Sequence, residues 1–73
     1  MADIAWQPIR EAHLHGYGAT LGNRRVEVVR AFSNDWRVYR YENDTMVRDG
    51  GSYDAAEQSR ARANAARWLR EEA

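Results

Sequence analysis

Apolar and polar positions alternate most clearly in Trp36-Arg37-Val38-Tyr39-Arg40-Tyr41. Successive strand residues face opposite sides of a sheet, so Trp36 and Val38 share one side while Arg37, Tyr39 and Tyr41 share the other. The first side has the character of a core. The second is a surface of aromatic rings and guanidinium groups. Upstream, residues 24–32 contain Val26, Val28 and Val29, β-branched side chains that favour extended structure. Apolar groups fall on both of its faces, as expected of a central or bulged strand. Ser33-Asn34-Asp35 reads as a turn, so these two strands form an antiparallel hairpin. Residues 12–21 read as an earlier strand, with His13, His15, Tyr17, Ala19 and Leu21 on one face and Leu14, Gly16, Gly18 and Thr20 on the other. Its two glycines weaken it and point to a bulge or a close backbone approach. Gly22-Asn23 and Asn43-Asp44 are turn signals. Thr45-Met46-Val47-Arg48 either adds a short fourth strand or extends the last hairpin, and Asp49-Gly50-Gly51 breaks the chain.

The period then changes to that of a helix. Asp54 is a good N-cap, and Glu57 three residues on completes a capping-box-like pair. From Ala55 to Glu71 there is no Gly, Pro or β-branched residue, which favours a helix. At 100° per residue Gln58, Ala61, Ala65, Trp68 and Leu69 fall on one side, and Glu57, Arg60, Asn64, Arg67 and Glu71 on the other. The small alanine stripe lets such a helix approach a sheet closely, with Trp68 and Leu69 as its large anchors. The expected core is Val26, Val28, Trp36, Val38, Ala61, Ala65, Trp68 and Leu69, helped by Leu14, Phe32 and Ile9. Residues 1–10, around Pro8, read as a loop, a short helical turn or an arm, whose Trp6 and Ile9 tuck onto the body.

The predicted architecture is α+β: a three- to four-stranded antiparallel sheet with one C-terminal helix on one face, in the order β-β-β-α. It forms one domain over residues 1–73, with an N-terminal arm at 1–10, the sheet at 12–48 and the helix at 54–71. The other sheet face then has nothing in the chain to cover it except the arm.

Composition narrows the function classes. A chain of 73 residues removes only about 60% of its unfolded surface from water, so a deep catalytic cleft is hard to build. There is no cysteine, hence no disulfide, thiolate metal site or thiol nucleophile. No signal-peptide pattern and no membrane-length apolar run is present, and a cytoplasmic setting is the simplest expectation. Eleven basic residues balance eleven acidic ones, unlike a domain devoted to phosphate backbone or an acidic DNA mimic. Every basic residue is arginine and none is lysine. Codon bias in a GC-rich genome explains that most simply; a preference for bidentate pairing and ring stacking is the functional explanation.

The open face is expected to hold Arg37, Tyr39 and Tyr41, with Val29 and Glu27 beside them and Tyr17, His13 and His15 from the first strand. A solvated sheet surface also uses Tyr and Arg as cross-strand pairs, but a contiguous patch of Tyr, Arg and His suits a partner. The partner is a protein, a second copy of the chain, or a single-stranded nucleic acid stacking on the rings. His13-x-His15 places two imidazoles on one face, yet no third or fourth ligand follows from the spacing, so neither a metal nor any other cofactor is expected. No nucleophile or carboxylate pair accompanies them, so no enzyme is expected, and no small-molecule substrate. A nucleic-acid alternative draws on Arg24, Arg25, Arg48, Arg60 and Arg67. The helix arginines are interleaved with glutamates at salt-bridge spacing and fit a self-paired solvated face better. Gly50-Gly51-Ser52 is too short for a phosphate loop, and no lysine follows it.

Trp36-Arg-Val-Tyr, then Gly50-Gly-Ser-Tyr-Asp-Ala-Ala-Glu57 and an Ala-rich helix, resemble many small β-β-β-α proteins of bacteriophages, prophages and bacterial genomes. The arrangement is also similar to the arm-binding N-terminal domains of phage-type integrases and to double-stranded-RNA-binding-like folds. The resemblance covers residues 24 to 70 and transfers no site residue. It implies an accessory protein of a mobile element, a regulator or inhibitor that occludes a host or competitor protein, as the anti-CRISPR inhibitors do.

Overall fold

A computed structural model describes residues 4–11, 14–30 and 35–71. Five strands form one open antiparallel sheet in chain order: β1 (Gln7–Glu11), β2 (Leu14–Leu21), β3 (Arg24–Arg30), β4 (Trp36–Glu42) and β5 (Thr45–Tyr53). A 3-10 turn, Ala55–Glu57, leads into helix α1, Gln58–Arg70. The helix packs on one face of the sheet, mainly against β3, β4 and β5.

Tight turns set the register. Asn43 and Asp44 both take positive φ, 54° and 64°, the conformation of the two-residue turn whose twist matches that of its flanking strands. Gly22 also has positive φ, 64°. The two turns meet at one end of the sheet, where the Asn43 N–H donates to the Asn23 carbonyl at 2.9 Å. Counting from these turns pairs Tyr17 with Val28 and Val28 with Val38 across β2, β3 and β4.

The core lies between the helix and the middle strands. Val26, Val28 and Val38 have no exposed surface, and neither do Ala61 and Ala65 of the facing helix. Ala19, Trp36, Trp68 and Leu69 complete the cluster, and Ile4, Trp6, Leu21 and Tyr53 pack around it. Each fully buried valine contributes about 1.5–3 kcal/mol. Alanines at the centre bring helix and sheet close together, while the tryptophans fill the wider margins. The Trp36 indole N–H donates to the Ala55 carbonyl at 3.2 Å and ties β4 to the helix entrance. At the other end the Arg24 Nη1 donates to the carbonyls of Trp68 (2.9 Å) and Glu71 (2.7 Å). A cation there satisfies orphan carbonyls and complements the helix dipole. No helix among the described residues is long and apolar enough to cross a membrane.

Several expectations need correction. The sheet has five strands rather than three or four. Most of what read as an arm is edge strand β1, paired with β2 from Gln7↔Gly18 to Glu11↔Leu14. Pro8 is tolerated there because edge strands accept proline. Asp49-Gly50-Gly51 does not break the chain but continues β5 through a bulge. Arg37 pairs with Ser52 and Tyr39 with Asp49, so the intervening Val38 faces one residue too many. A Cβ on Gly50 would sit 2.5 Å from Val38 Cγ1, and Gly51 has φ +100°. The Gly51 N–H donates to Asp49 Oδ1 at 2.8 Å. Asp54 precedes a 3-10 turn, its carbonyl accepts the Glu57 N–H at 2.8 Å, and its side chain makes no capping bond. Leu14 and Ile9 are half-buried, but alternation puts both on the face away from the helix, not in its core. Phe32 lies outside the described residues.

Candidate functional site

The face opposite the helix is built from three cross-strand rows. One runs Ile9, Gly16, Val29, Arg37, Ser52 and the next Gln7, Gly18, Glu27, Tyr39, Asp49. The third runs Thr20, Arg25, Tyr41, Met46. Among the described residues, no element packs over them. Arg37, Tyr39 and Tyr41 stand together on this face, with Glu27 alongside. Val29 is also there, but only 5% of it is exposed. It is therefore a floor for the patch and not a contact. Gly16 beside it has no room for a side chain, since a Cβ would lie 2.0 Å from the Val28 carbonyl oxygen. Over Gly18 the Ile9 Cδ1 closes to 3.4 Å of where a Cβ would be.

Tyr41 is held by charge on both sides. The Arg25 guanidinium lies 4.4 Å from its ring centroid. Arg25 also reaches Asp44 at 3.5 Å and Glu27 at 4.0 Å. Burial against its neighbours, with the Glu27 carboxylate adding to it, raises the Tyr41 hydroxyl above its ordinary value. It stays protonated, and a hydrogen-bond donor, throughout the physiological range. At the edge Met46 and Val47 are, among the described residues, the large apolar side chains left most open, at 52% and 51%. Val47 is the extra residue where the register slips between Arg40↔Arg48 and Tyr41↔Met46.

Tyr17 and His15 do not belong to this face. Tyr17 pairs with Val28 and His15 with Arg30, which puts both on the helix side. There the Arg62 guanidinium lies 4.6 Å from the Tyr17 ring and 5.0 Å from that of Trp6. His13 lies outside the described residues. Met46, Ile9 and Arg25 are members of the face that sequence reasoning did not assign to it. The signal for Arg25 was its place one residue from Val26 in the same strand.

The five arginines of the nucleic-acid alternative do not share one face: Arg25 stands on the open side, and the other four on the helix side. Arg24 and Arg25, adjacent in a strand, point to opposite faces. Arg24 is consumed by Glu42 at 3.1 Å and by the helix end. Arg60 pairs with Glu57 within the helix. Arg67 lines a shallow groove with Arg60, Tyr53 and Asn64. Arg48 is exposed on β5 opposite Arg40, whose Nη2 donates to Asn64 Oδ1 at 2.6 Å. Among the described residues no three His, Asp or Glu side chains are grouped to hold a metal ion.

No family model, no curated protein and no solved structure matches the chain.

Proposed function

We propose that this chain is a small non-enzymatic protein-binding module, a regulator or inhibitor that acts by covering a partner's surface with its open sheet face. The observation that carries this reading is the uncovered face itself, with Arg37, Tyr39 and Tyr41 in adjacent rows and Met46 at their edge. Tyr and Arg are the residue types that dominate interface energetics, and Met adapts to irregular surfaces.

Both edges of the sheet discourage a different mode, the addition of a partner strand. β1 is short and carries Pro8, and β5 is bent by two register shifts; both devices blunt edges. Size adds a constraint. Strands about 4.8 Å apart, with residues about 3.3 Å apart along them, make a face of roughly 20 by 20 Å. That is below the roughly 800 Å² per partner of a standard interface. Affinity must then come from a few anchoring side chains rather than from area. A second copy is one such partner, because Arg25 and Arg37 alternate with Glu27 and Asp49 across the rows.

The test is capture of binding proteins from the native host, with light scattering to detect self-association. Tyr39→Ala combined with Tyr41→Ala should fold with stability within about 1 kcal/mol of the parent and lose its partner. Unchanged capture and unchanged self-association would remove this face from consideration. Titration with single-stranded DNA and RNA at low and moderate salt separates the alternative, nucleic acid stacking on the same rings, because phosphate-driven binding weakens steeply with salt.

A further inference from the structure

On the helix side, at the end of the sheet away from the Asn23 and Asn43 turns, three basic side chains stand in one row. Arg10 pairs with His15, and His15 with Arg30, directly across β1, β2 and β3. Together with Tyr17, Trp36 and Gln58 they line a shallow hollow of about 320 Å³. That is the small end of the roughly 300–1,000 Å³ typical of ligand clefts. Among the described residues no carboxylate lines it. Alternation turns Glu11 to the other face, and Asp35 is exposed ahead of β4. Among the described residues none of the three basic groups makes an ion pair.

Two arginines here flank one imidazole across three adjacent strands. Elsewhere on this side arginine is engaged: Arg24 by Glu42, Arg40 by Asn64. Here, among the described residues, the two arginines have no counter-charge. Arg30 is stacked with its guanidinium carbon 5.5 Å from the Trp36 ring centroid. Stacking holds the fork flat and leaves its N–H edges free for bidentate contact with oxygen. Gln58 is the first residue of the 13-residue α1, so the positive end of the helix dipole adds to the same potential. The outer strands of the row are about 10 Å apart, a span that two arginine side chains can close around one tetrahedral group.

We infer that this hollow binds a phosphate monoester, whose two negative charges and three terminal oxygens match the Arg10–His15–Arg30 row. The group is carried either by a free mononucleotide or by the 5′ end of a nucleic-acid strand. The site lies on the face opposite the protein-binding surface and is independent of it.

The test is calorimetric and NMR titration of the full chain with uridine 5′-monophosphate, uridine, and hexathymidylate with and without a 5′-phosphate. The monophosphate should bind at least about tenfold tighter than uridine, with shifts centred on Arg10, His15, Arg30 and Gln58. Arg30→Gln should weaken it about tenfold. Arg10→Gln, on an exposed edge position, should do the same and guards against a folding defect at Arg30. Arg60→Gln should bind as the parent does. The phosphate should raise the melting temperature of the parent but not of Arg10→Gln. Preference for the phosphorylated over the unphosphorylated hexamer assigns the strand end as a source, and binding of the mononucleotide alone assigns the free ligand. Equal binding of uridine and its monophosphate, equal binding of both hexamers without the mononucleotide, or affinity unchanged in both variants would overturn the assignment.

Discussion

The two faces of the sheet are drawn from alternate residues of the same strands, yet they treat arginine differently. On the helix side arginines seal the margins of a core too narrow to cover five strands. Arg24 and Arg40 flank Trp68, with guanidinium carbons 4.7 Å and 5.7 Å from its ring centroid, while Arg62 lies by Trp6 and Tyr17. Their stems cover apolar surface, while the heads of Arg24 and Arg40 are met by Glu42, the helix-end carbonyls and Asn64. On the open side, among the described residues, only Arg25 has such a partner, Tyr41, and Arg37 is exposed. A helix with an alanine stripe can cover the centre of a sheet, and planar cations extend that cover to its borders. The side without a helix keeps its rings and charges available. This also gives the all-arginine composition a structural use, whatever its origin, because an ammonium group stacks less well and makes no fork.

The largest way to break the contrast is to remove the cover. Trp68→Ala should cost about 3–5 kcal/mol in urea denaturation. A domain of this length has a total of about 4–10 kcal/mol, so the variant should be marginally folded. If it costs less than about 1 kcal/mol, the helix side is not the structural face. Next in size, Arg24→Lys keeps the charge but loses the planar fork shared by Glu42, the helix carbonyls and Trp68. We expect a loss of about 1–2 kcal/mol, with the last helical turn losing hydrogen-exchange protection first. An unchanged variant would mean that charge alone suffices.

The smallest effect concerns the open side and alkaline pH. The Tyr41 hydroxyl titrates above its ordinary value in the folded chain, so the unfolded chain releases this proton first as pH rises. By linkage its effect is absent at neutral pH, and stability then falls as pH climbs beyond about 10 until the folded phenol also ionises. Tyr41→Phe should make that alkaline decline shallower and remove one late-titrating phenol from the ultraviolet absorbance titration. An identical decline in both proteins would show that the phenol is not held by Glu27 and its neighbours.

The centre of this fold was legible because its signals are local: three buried valines, Trp36, and a helical stripe of Ala61, Ala65, Trp68 and Leu69. The edges were not. The segment around Pro8 read as an arm and Gly50-Gly51 as a break, and in a central strand both residue types would interrupt the ladder. At an edge, a missing donor or an extra residue disturbs few ladder bonds, so the same residues lie within strands. The candidate site was half legible. Alternation within β4 put Arg37, Tyr39 and Tyr41 on one face without any structure. Placing Tyr17 and His15 required register across the Gly22-Asn23 turn, and counting back from Leu21 opposite Arg24 already pairs Tyr17 with Val28. The arginine grouping was not legible, because strand alternation separates Arg25 from Arg24 while Arg60 and Arg67 share one groove.

The order of the elements along the chain also governs the protein's emergence from the ribosome. The valine side of the sheet is translated before the helix that covers it, and Arg24 waits for carbonyl partners 44 and 47 residues downstream. At about 5–20 residues per second, the nascent sheet is left greasy on one side for several seconds. During that interval Pro8 and, once made, the β5 bulges are its main protection against zipping onto neighbouring chains. A proline-free first strand would expose the cell to that hazard on every round of translation, even if the finished molecule were equally stable.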